Sequence, residues 1–586
     1  MKRRAKVRRT VTKKSPPPRK LQAAVSAAPI RLWGLWLLGA LFVALALYSP
    51  ALNGKLVFDD IPLPLHLKSL RQLILQTWLA GSRPVLMTSY FLNYWLWGEG
   101  TFSYHVLNVA IHAVNTGLVC LILLRLLGKA GWAKSKATAA SIIGAGIFLV
   151  HPLQTESVSY IAGRSESLAT MFALLAYAVC LYRRRESISW LEAVAVLALF
   201  GLGVKTKENV VSLAGILVLT DVFWPAPFTL EGLRKNRRLY LLMIPGAAGA
   251  AIAIFRLLSR SATAGFSAAM FTWYQYLFTE ARVLFLYVRL AIIPVGQSID
   301  HDYVPSRTVT EHGAIVYMLL LAALVALSVL WRRRYPLFCF GLLWFLIWLA
   351  PTSSVVPLDD AIVERRMYGA LIGLIFIGCE IASRVRLPRA TGYGIMAAVV
   401  VGFGILCYQR NQLWGDPDRL LALAAFESTH NPRPLLNFAE ALDERNRCDL
   451  AIPYLRRAEL MAPNSYYVHA MWGRTLSCLG HYPEALQRLQ LAAALQPTSQ
   501  VWEWIGLTYG QLGMSDEAGK ALQKAVKLNR DSESAHGSLA LWYEKMNNLA
   551  MAEQEYEITV SLDFSDTWAK AGLMRVHQLR AARGQQ

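Results

Sequence analysis

The chain has 586 residues, of which 55% are hydrophobic and only 17% charged, and its mean hydropathy is +0.35. A soluble globular protein carries about 25% charged residues, so this composition excludes an ordinary cytosolic enzyme and points to many membrane spans. The net charge of +22 suggests a nucleic-acid binder only until it is located. Ten Lys or Arg lie in residues 1–20, with no acid among them. Sixteen more sit in five short clusters between apolar runs: Lys129, Lys134 and Lys136; Arg183 to Arg185; Arg234, Lys235, Arg237 and Arg238; Arg332 to Arg334; and Arg384, Arg386 and Arg389. Outside these sets 34 basic residues face 38 acidic ones. Basic residues confined to short loops between spans are topology signals, so no nucleic-acid partner is expected.

Residues 1–31 read as a basic cytoplasmic tail, broken by Ser-Pro-Pro-Pro-Arg at 15–19 and expected to be disordered. The first apolar run, about Leu32 to Tyr48, follows positive charge and reads as a retained signal anchor. Further candidate spans cover roughly 105–127, 138–151, 167–182, 188–204, 209–223, 239–258, 313–331, 337–350, 367–383 and 391–408. Counting from a cytoplasmic N-terminus gives eleven spans and puts all five basic clusters in the cytoplasm. The segment at 276–293 is nearly apolar enough to cross, but crossing would move the last two clusters outside. With Arg282 and Arg289 seven apart on one helical face, it reads instead as an amphipathic helix at the outer interface.

After about Tyr408 a different period appears. Ala439, Gly473, Gly506 and Ala540 recur at steps of 33 or 34 residues, and Ala451, Ala485, Ala518 and Ala552 follow each by twelve. Leu455, Leu489, Leu522 and Tyr556 fill the large apolar position between the small ones. This resembles the tetratricopeptide repeat (TPR), in which small residues let paired helices approach and large ones fill the gaps. The chain thus divides into a membrane domain at 32–410, a linker helix at 411–430, about four repeats at 431–566, and a capping helix and tail at 567–586. The fold class is all-α: a polytopic membrane bundle followed by a solenoid outside the cytoplasm. Cys448 opens the second helix of the first repeat and Cys478 closes the first helix of the next. These helices are antiparallel neighbours in a TPR stack, and an external compartment is oxidising, so the pair is expected either to lie close enough to bridge or to stand as two packed thiols, since no other cysteine pattern supports a disulfide framework.

The outward segments carry the ionisable residues. They are Phe58-Asp59-Asp60, the stretch at 83–97, Tyr104-His105 with Asn108, the stretch at 151–167, Lys205 to Asn209, and Glu364 to Gly369. Charges at span ends are costly unless partnered, and these lie on one side, so they can converge on a single site. The Phe-Asp-Asp loop, the Arg-Pro and Leu-Asn-Tyr stretch, Tyr104-His105, His151-Pro152 with Glu156, Gly163-Arg164, and Glu364-Arg365 with Tyr368 recur in an order that resembles the transmembrane and TPR-containing protein O-mannosyltransferases and their bacterial relatives. The following repeat array completes the resemblance, which covers roughly 32–580.

The resemblance implies a GT-C-type membrane glycosyltransferase that moves a sugar from a polyprenyl-phosphate donor to a Ser or Thr hydroxyl of a protein. A leaving phosphate needs cations, and Arg164, Lys205, Lys207, Arg282, Arg365 and Arg366 are the supply. The attacking hydroxyl must lose a proton, the role expected of Asp59 or Asp60. His105, His151, Glu156, Glu364 and Tyr368 are expected to support the cavity. No cofactor is expected beyond the lipid-linked sugar donor, and a divalent metal is left open, since two Asp and a His beside a phosphate can hold one. Expected partners are that donor, membrane lipids and protein acceptors in the TPR groove, with the protein in an inner or plasma membrane. The alternatives are a transferase that modifies a lipid or glycan, and a non-catalytic membrane scaffold.

Overall fold

A computed structural model of the chain describes residues 30–60, 83–183, 186–224, 229–258, 272–563 and 566–584. The basic tail and its disorder, and Arg184 and Arg185, lie outside the described residues. Each of the eleven apolar runs is a helix: α1 (Ile30–Tyr48), α3 (Thr101–Lys129), α4 (Lys134–Val150), α5 (Arg164–Tyr182), α6 (Trp190–Val204), α7 (Ser212–Phe223), α8 (Arg237–Leu258), α10 (Ala314–Leu330), α11 (Pro336–Leu349), α12 (Met367–Arg384) and α13 (Arg389–Trp414). Two more helices of this region are α2 (Pro84–Trp97) and α9 (Trp273–Ile292).

Among the described residues six helices are long and apolar enough to cross a membrane, and a seventh is reached if α4 and the bent segment after it count as one span. Helices α6 and α11 are shorter apolar helices, and α9 is not among the six. The core lies where α3, α4, α5, α11 and α12 meet. There α11 crosses α12 backbone to backbone: a Cβ on Gly341 would lie 2.3 Å from the carbonyl oxygen of Gly373. Small residues at a crossing permit that approach in an apolar environment. Trp348 occupies the space over Gly369, and Trp344 donates its indole N–H to the Gly369 carbonyl (3.0 Å).

Chain direction alternates through the bundle. Residues 52–60, 151–163, 205–211 and 350–366 therefore gather at one end, joined by contacts such as Asp59 to Tyr160 and Glu156 to Arg365. The Lys129, Arg183 and Arg384 clusters lie at the other end, where Arg384 reaches the Arg334 carbonyl. This separation is what the charge rule requires of loops on opposite sides.

Helix α13 runs past the expected boundary at 410 to Trp414, because its last turn has partners. Asn411 accepts a hydrogen bond from the Ser159 hydroxyl (2.5 Å) and donates to the Leu47 carbonyl (3.0 Å), and Trp414 stacks on Tyr160. The linker is the separate helix α14 (Pro417–Glu427), and four hairpins follow over 432–562: Pro432–Asp443 with Cys448–Met461, Tyr466–Cys478 with Tyr482–Leu495, Ser499–Gln511 with Ser515–Leu528, and Glu533–Lys545 with Leu549–Leu562. Thr567–Gly584 closes the stack. The repeat spacing has a steric cause, since a Cβ on Gly473 or Gly506 would collide with Leu489 or Leu522. Cys448 and Cys478 form a disulfide, with Cα atoms 6.3 Å apart. The other five cysteines are buried and free.

Candidate active site

The two neighbouring acids of the first loop separate into different environments. Phe58, just before them, adopts a left-handed backbone (φ 46°), and of the two acids that follow Asp59 is exposed and Asp60 buried. Asp60 is 1% exposed, and its carboxylate accepts the Ala162 N–H (2.7 Å) and, more weakly, the Val57 N–H (3.4 Å). Burial pushes its pKa up to about 7 against the pull of those amides. One oxygen therefore holds the 160–163 turn and the other closes the loop of Asp60 itself. That turn needs glycine: a Cβ on Gly163 would lie 2.5 Å from the Glu156 carbonyl oxygen. Asp59 is exposed, and its carboxylate accepts no hydrogen bond among the described residues. Its backbone N–H donates to the Tyr160 hydroxyl (2.7 Å). Burial, then the charges of Asp59 and Asp60, keep the Tyr160 phenol protonated well above its usual range.

Around this loop the cations are paired with acids distant in sequence. Arg365 lies over the Tyr160 ring, donates Nη1 to Glu156 (2.6 Å), and feels the charge of Asp59. Lys207 pairs with Glu166 (2.5 Å), whose other oxygen accepts from Asn209. Arg83 forms a forked pair with Glu208 (2.8 Å at the shortest). Arg83, Lys207 and Arg365 repel one another, so they share one field. Burial, with Arg365 and Arg83 adding to it, lowers the pKa of Lys207, and Glu166 opposes them. Arg83, Glu166, Glu208 and Tyr160 were not singled out from the sequence, although the first opens the quoted Arg-Pro stretch and the others stand inside quoted segments.

Several expected site residues serve the scaffold instead. Arg164 is wholly buried; it donates to Asn108 (2.7 Å), Asn93 (2.9 Å) and the Tyr104 carbonyl, and stacks beneath Tyr90. Four hydrogen bonds within the protein, one of them to the Ser89 carbonyl (3.3 Å), hold its guanidinium. Arg366 is likewise buried, donating to the carbonyls of Asp360 and Ala361, with Glu280 3.8 Å away. Arg282 donates to the Val304 carbonyl and to Ser306, and lies over Tyr303. His151 contacts the Ala291 carbonyl (2.9 Å), and the Tyr368 hydroxyl meets His112 (2.8 Å) and Asn115 (3.0 Å) inside the core. His105 contacts the Gly54 carbonyl at 3.4 Å. Lys205 is exposed at the end of α6.

Glu364 leads from this cluster to the solenoid. It is buried, and accepts hydrogen bonds from Gln297 (2.7 Å) and the Ser298 N–H (2.8 Å), with His301 at 2.9 Å. The same loop grips the first repeat. Asp300 takes the fork of Arg433 (2.7 Å for each bond), and Asp302 accepts the N–H groups of Thr429, His430 and Asn431 and the Thr429 hydroxyl. Among the described residues the one group of three side chains arranged to share a metal ion is Glu553, Glu557 and His577, half-buried to exposed between the last hairpin and the closing helix and remote from this end of the bundle.

A tetratricopeptide repeat family model matches residues 499–532. Over most of its length the chain is similar to protein O-mannosyl-transferases, as the ordered motifs suggested. The Homo sapiens protein O-mannosyl-transferase TMTC3 is 22% identical over 565 residues, covering 84% of this chain and 59% of that relative. The Drosophila melanogaster Tmtc3 is 22% identical over 502 residues, covering 71% and 52%. The Drosophila melanogaster Tmtc2 is 33% identical over 146 residues, covering 24% and 15%. The chain therefore spans less than two thirds of the length of these relatives. Among solved structures, a thermophilic TPR protein of Thermus thermophilus is 19% identical, with a TM-score of 0.27, and matches 30% of this chain and 96% of that one.

Proposed function

We propose that this chain is a membrane glycosyltransferase that moves a sugar from a polyprenyl-phosphate donor to a Ser or Thr hydroxyl of a protein outside the cytoplasm. Asp59 carries the reading: an exposed carboxylate without a hydrogen-bond donor, on the first outward loop, beside Arg365 and Tyr160. As base it accepts the proton of the acceptor hydroxyl as the oxygen attacks the anomeric carbon. The carbon–oxygen bond to the lipid phosphate breaks, and the phosphate leaves with the bonding electrons. Arg365 and Lys207 supply the positive field in which that charge develops. The names of the relatives make mannose the first sugar to test.

Two further observations support the arrangement. The loop at 297–302 ties the solenoid to the end of the bundle that holds Asp59, so a protein held by the repeats sits near the site. The Cys448–Cys478 bridge suits an oxidising compartment, and the basic clusters at the opposite bundle end suit the cytoplasm. On this reading the base role belongs to Asp59 alone, and Asp60 supports the turn.

Transfer from polyprenyl-phosphate mannose to a Ser/Thr-rich acceptor in membranes tests the assignment. Asp59→Asn should lower the rate by about 10²–10⁴ with expression and melting temperature unchanged. Asp60→Asn should lower the melting temperature first. Full transfer by Asp59→Asn would end the proposal.

A further inference from the structure

The linker helix α14 belongs to two cores at once. Toward its C-terminus Ala425 is buried in the core of the first repeat with Leu435, Leu436 and Ala439, and Arg457 of that repeat donates to the Ser428 carbonyl (2.6 Å) where the helix ends. Nearer its start Leu420, 1% exposed, enters a separate small core with Ala51, Val57, Tyr160 and Trp414. Phe58 and Ile299 pack against that core from its edge. Its members thus come from the first outward loop, the 160–163 turn, the end of α13 and the loop that grips the first repeat. Val57 and Phe58 directly precede Asp59, so the loop of the base rests on a core completed by the solenoid's own linker.

The backbone at this corner leaves little room for independent movement. Between Trp414 and Pro417, the first helical residue of α14, stand only Gly415 and Asp416. The Asp416 carboxylate caps the new helix by accepting the Arg419 N–H (3.2 Å). A Cβ on Gly415 would lie 2.3 Å from the Pro50 carbonyl oxygen, and one on Gly54 3.0 Å from the Trp414 carbonyl oxygen. The end of α13 and the first loop therefore meet backbone to backbone. Tyr160 stacks on Trp414 and accepts the Asp59 N–H (2.7 Å), which carries the contact to the base itself. We propose that Leu420 is a positioning residue for transfer: through the core it shares with Val57 and Tyr160 it holds the Asp59 loop, so the seating of the solenoid fixes where the base stands. A small displacement of a base slows the reaction without weakening the hold on the donor. The inference rests on the reading above for the role of Asp59. It goes beyond that reading by making the repeats part of the catalytic geometry, not only a place where an acceptor is held.

The full chain in detergent is compared as wild type, Leu420→Ala, Leu420→Met and Leu489→Ala. Two measurements are made: amide-resolved hydrogen exchange, and transfer from polyprenyl-phosphate mannose to a short Thr-containing peptide. Leu489 is as deeply buried as Leu420 but lies in the core of the second and third repeats, so it controls for loosening of the solenoid itself. In Leu420→Ala the Asp59 and Asp60 amides should exchange about 10-fold faster, and kcat should fall roughly 10- to 100-fold with the KM for the donor unchanged. Leu420→Met refills most of the lost volume and should restore both. Leu489→Ala should lower the unfolding midpoint of the solenoid and leave the two amides and kcat as in wild type. Full kcat in Leu420→Ala, unchanged exchange at both amides, or the same losses in Leu489→Ala each overturns the proposal. If Leu420→Ala does not fold, Leu420→Val decides by the same two measurements. The two readings fail separately. Transfer lost in Asp59→Asn but complete in Leu420→Ala removes this inference alone. No transfer by wild type, with the Asp59 and Asp60 amides freed in Leu420→Ala, removes the transferase reading while the hold of Leu420 on the loop stands.

Discussion

The junction between bundle and solenoid can be tested without any assay of transfer, through Asp302. Its carboxylate caps the segment that enters the first repeat, accepting the N–H groups of Thr429, His430 and Asn431 at 2.8–2.9 Å and the Thr429 hydroxyl at 2.6 Å. Burial raises its pKa, but these hydrogen bonds outweigh burial and hold it at about 2. Against an ordinary value near 3.9, that shift is worth at most about 2.5 kcal/mol, and solvent at the rim of the junction reduces it to roughly 2 kcal/mol. Because the folded value is depressed, the stabilisation is fully present above about pH 4 and is lost as pH falls through about 2. In Asp302→Ala the three amides should exchange hydrogen about 30-fold faster at neutral pH, the rate equivalent of roughly 2 kcal/mol. Amide-resolved hydrogen exchange on the full chain in detergent measures this. In Arg433→Ala, which breaks the pairs with Asp300 and Asp360 but touches none of the three amides, their exchange should stay slow. Unchanged protection in Asp302→Ala would mean that the solenoid is held by something else, and would remove the link between repeats and site.

Two other predictions concern covalent state and sidedness. Denatured, unreduced protein exported by its natural route should take up five thiol labels and reduced protein seven, because one bridge removes two of the seven cysteines; seven labels without reduction would remove the bridge. In the chain-entropy account that closure is worth roughly 3–4 kcal/mol, so Cys448→Ser should lower the unfolding midpoint of the solenoid. Arg307→Cys in a chain otherwise free of accessible thiols should react with an impermeant maleimide added outside intact cells, since Arg307 is exposed in the connection after α9, whereas its neighbour Ser306 is buried against Arg282. Reaction only after permeabilisation would turn the bundle over.

Much of the architecture was legible because its signals are local. Each apolar run became a helix, and the 33- to 34-residue period became four hairpins, since both depend on residues within one or two turns of each other. Helix α13 continues beyond 410 to Trp414, which is not legible locally because Asn411 and Trp414 look polar or interfacial in sequence, and only the fold supplies Ser159 and Tyr160 as partners. The site was legible as a set of segments but not as a set of roles. Arg365 meets Glu156 across 209 residues and Arg83 meets Glu208 across 125, so no spacing rule reveals which cations are neutralised. Asp59 and Asp60 look alike as adjacent loop acids, yet one is exposed without a hydrogen-bond donor and the other is buried against the Ala162 N–H.

That difference carries the functional argument. A buried ion pair seldom adds net stability, because desolvation offsets the attraction, but losing one partner costs about 3–5 kcal/mol. The pairs Arg365–Glu156 and Lys207–Glu166, with the more exposed Arg83–Glu208, therefore hold four outward segments together at little net gain, and each fixes its members in place. Once these are set aside, the carboxylate of Asp59 stands apart from the other acids of this cluster, exposed and accepting no hydrogen bond among the described residues. A base that takes a proton from an incoming hydroxyl must be reachable from solvent, and Asp59 is. Tyr160 receives the Asp59 N–H and stacks on Trp414, so the loop that carries the base is fixed against the end of α13.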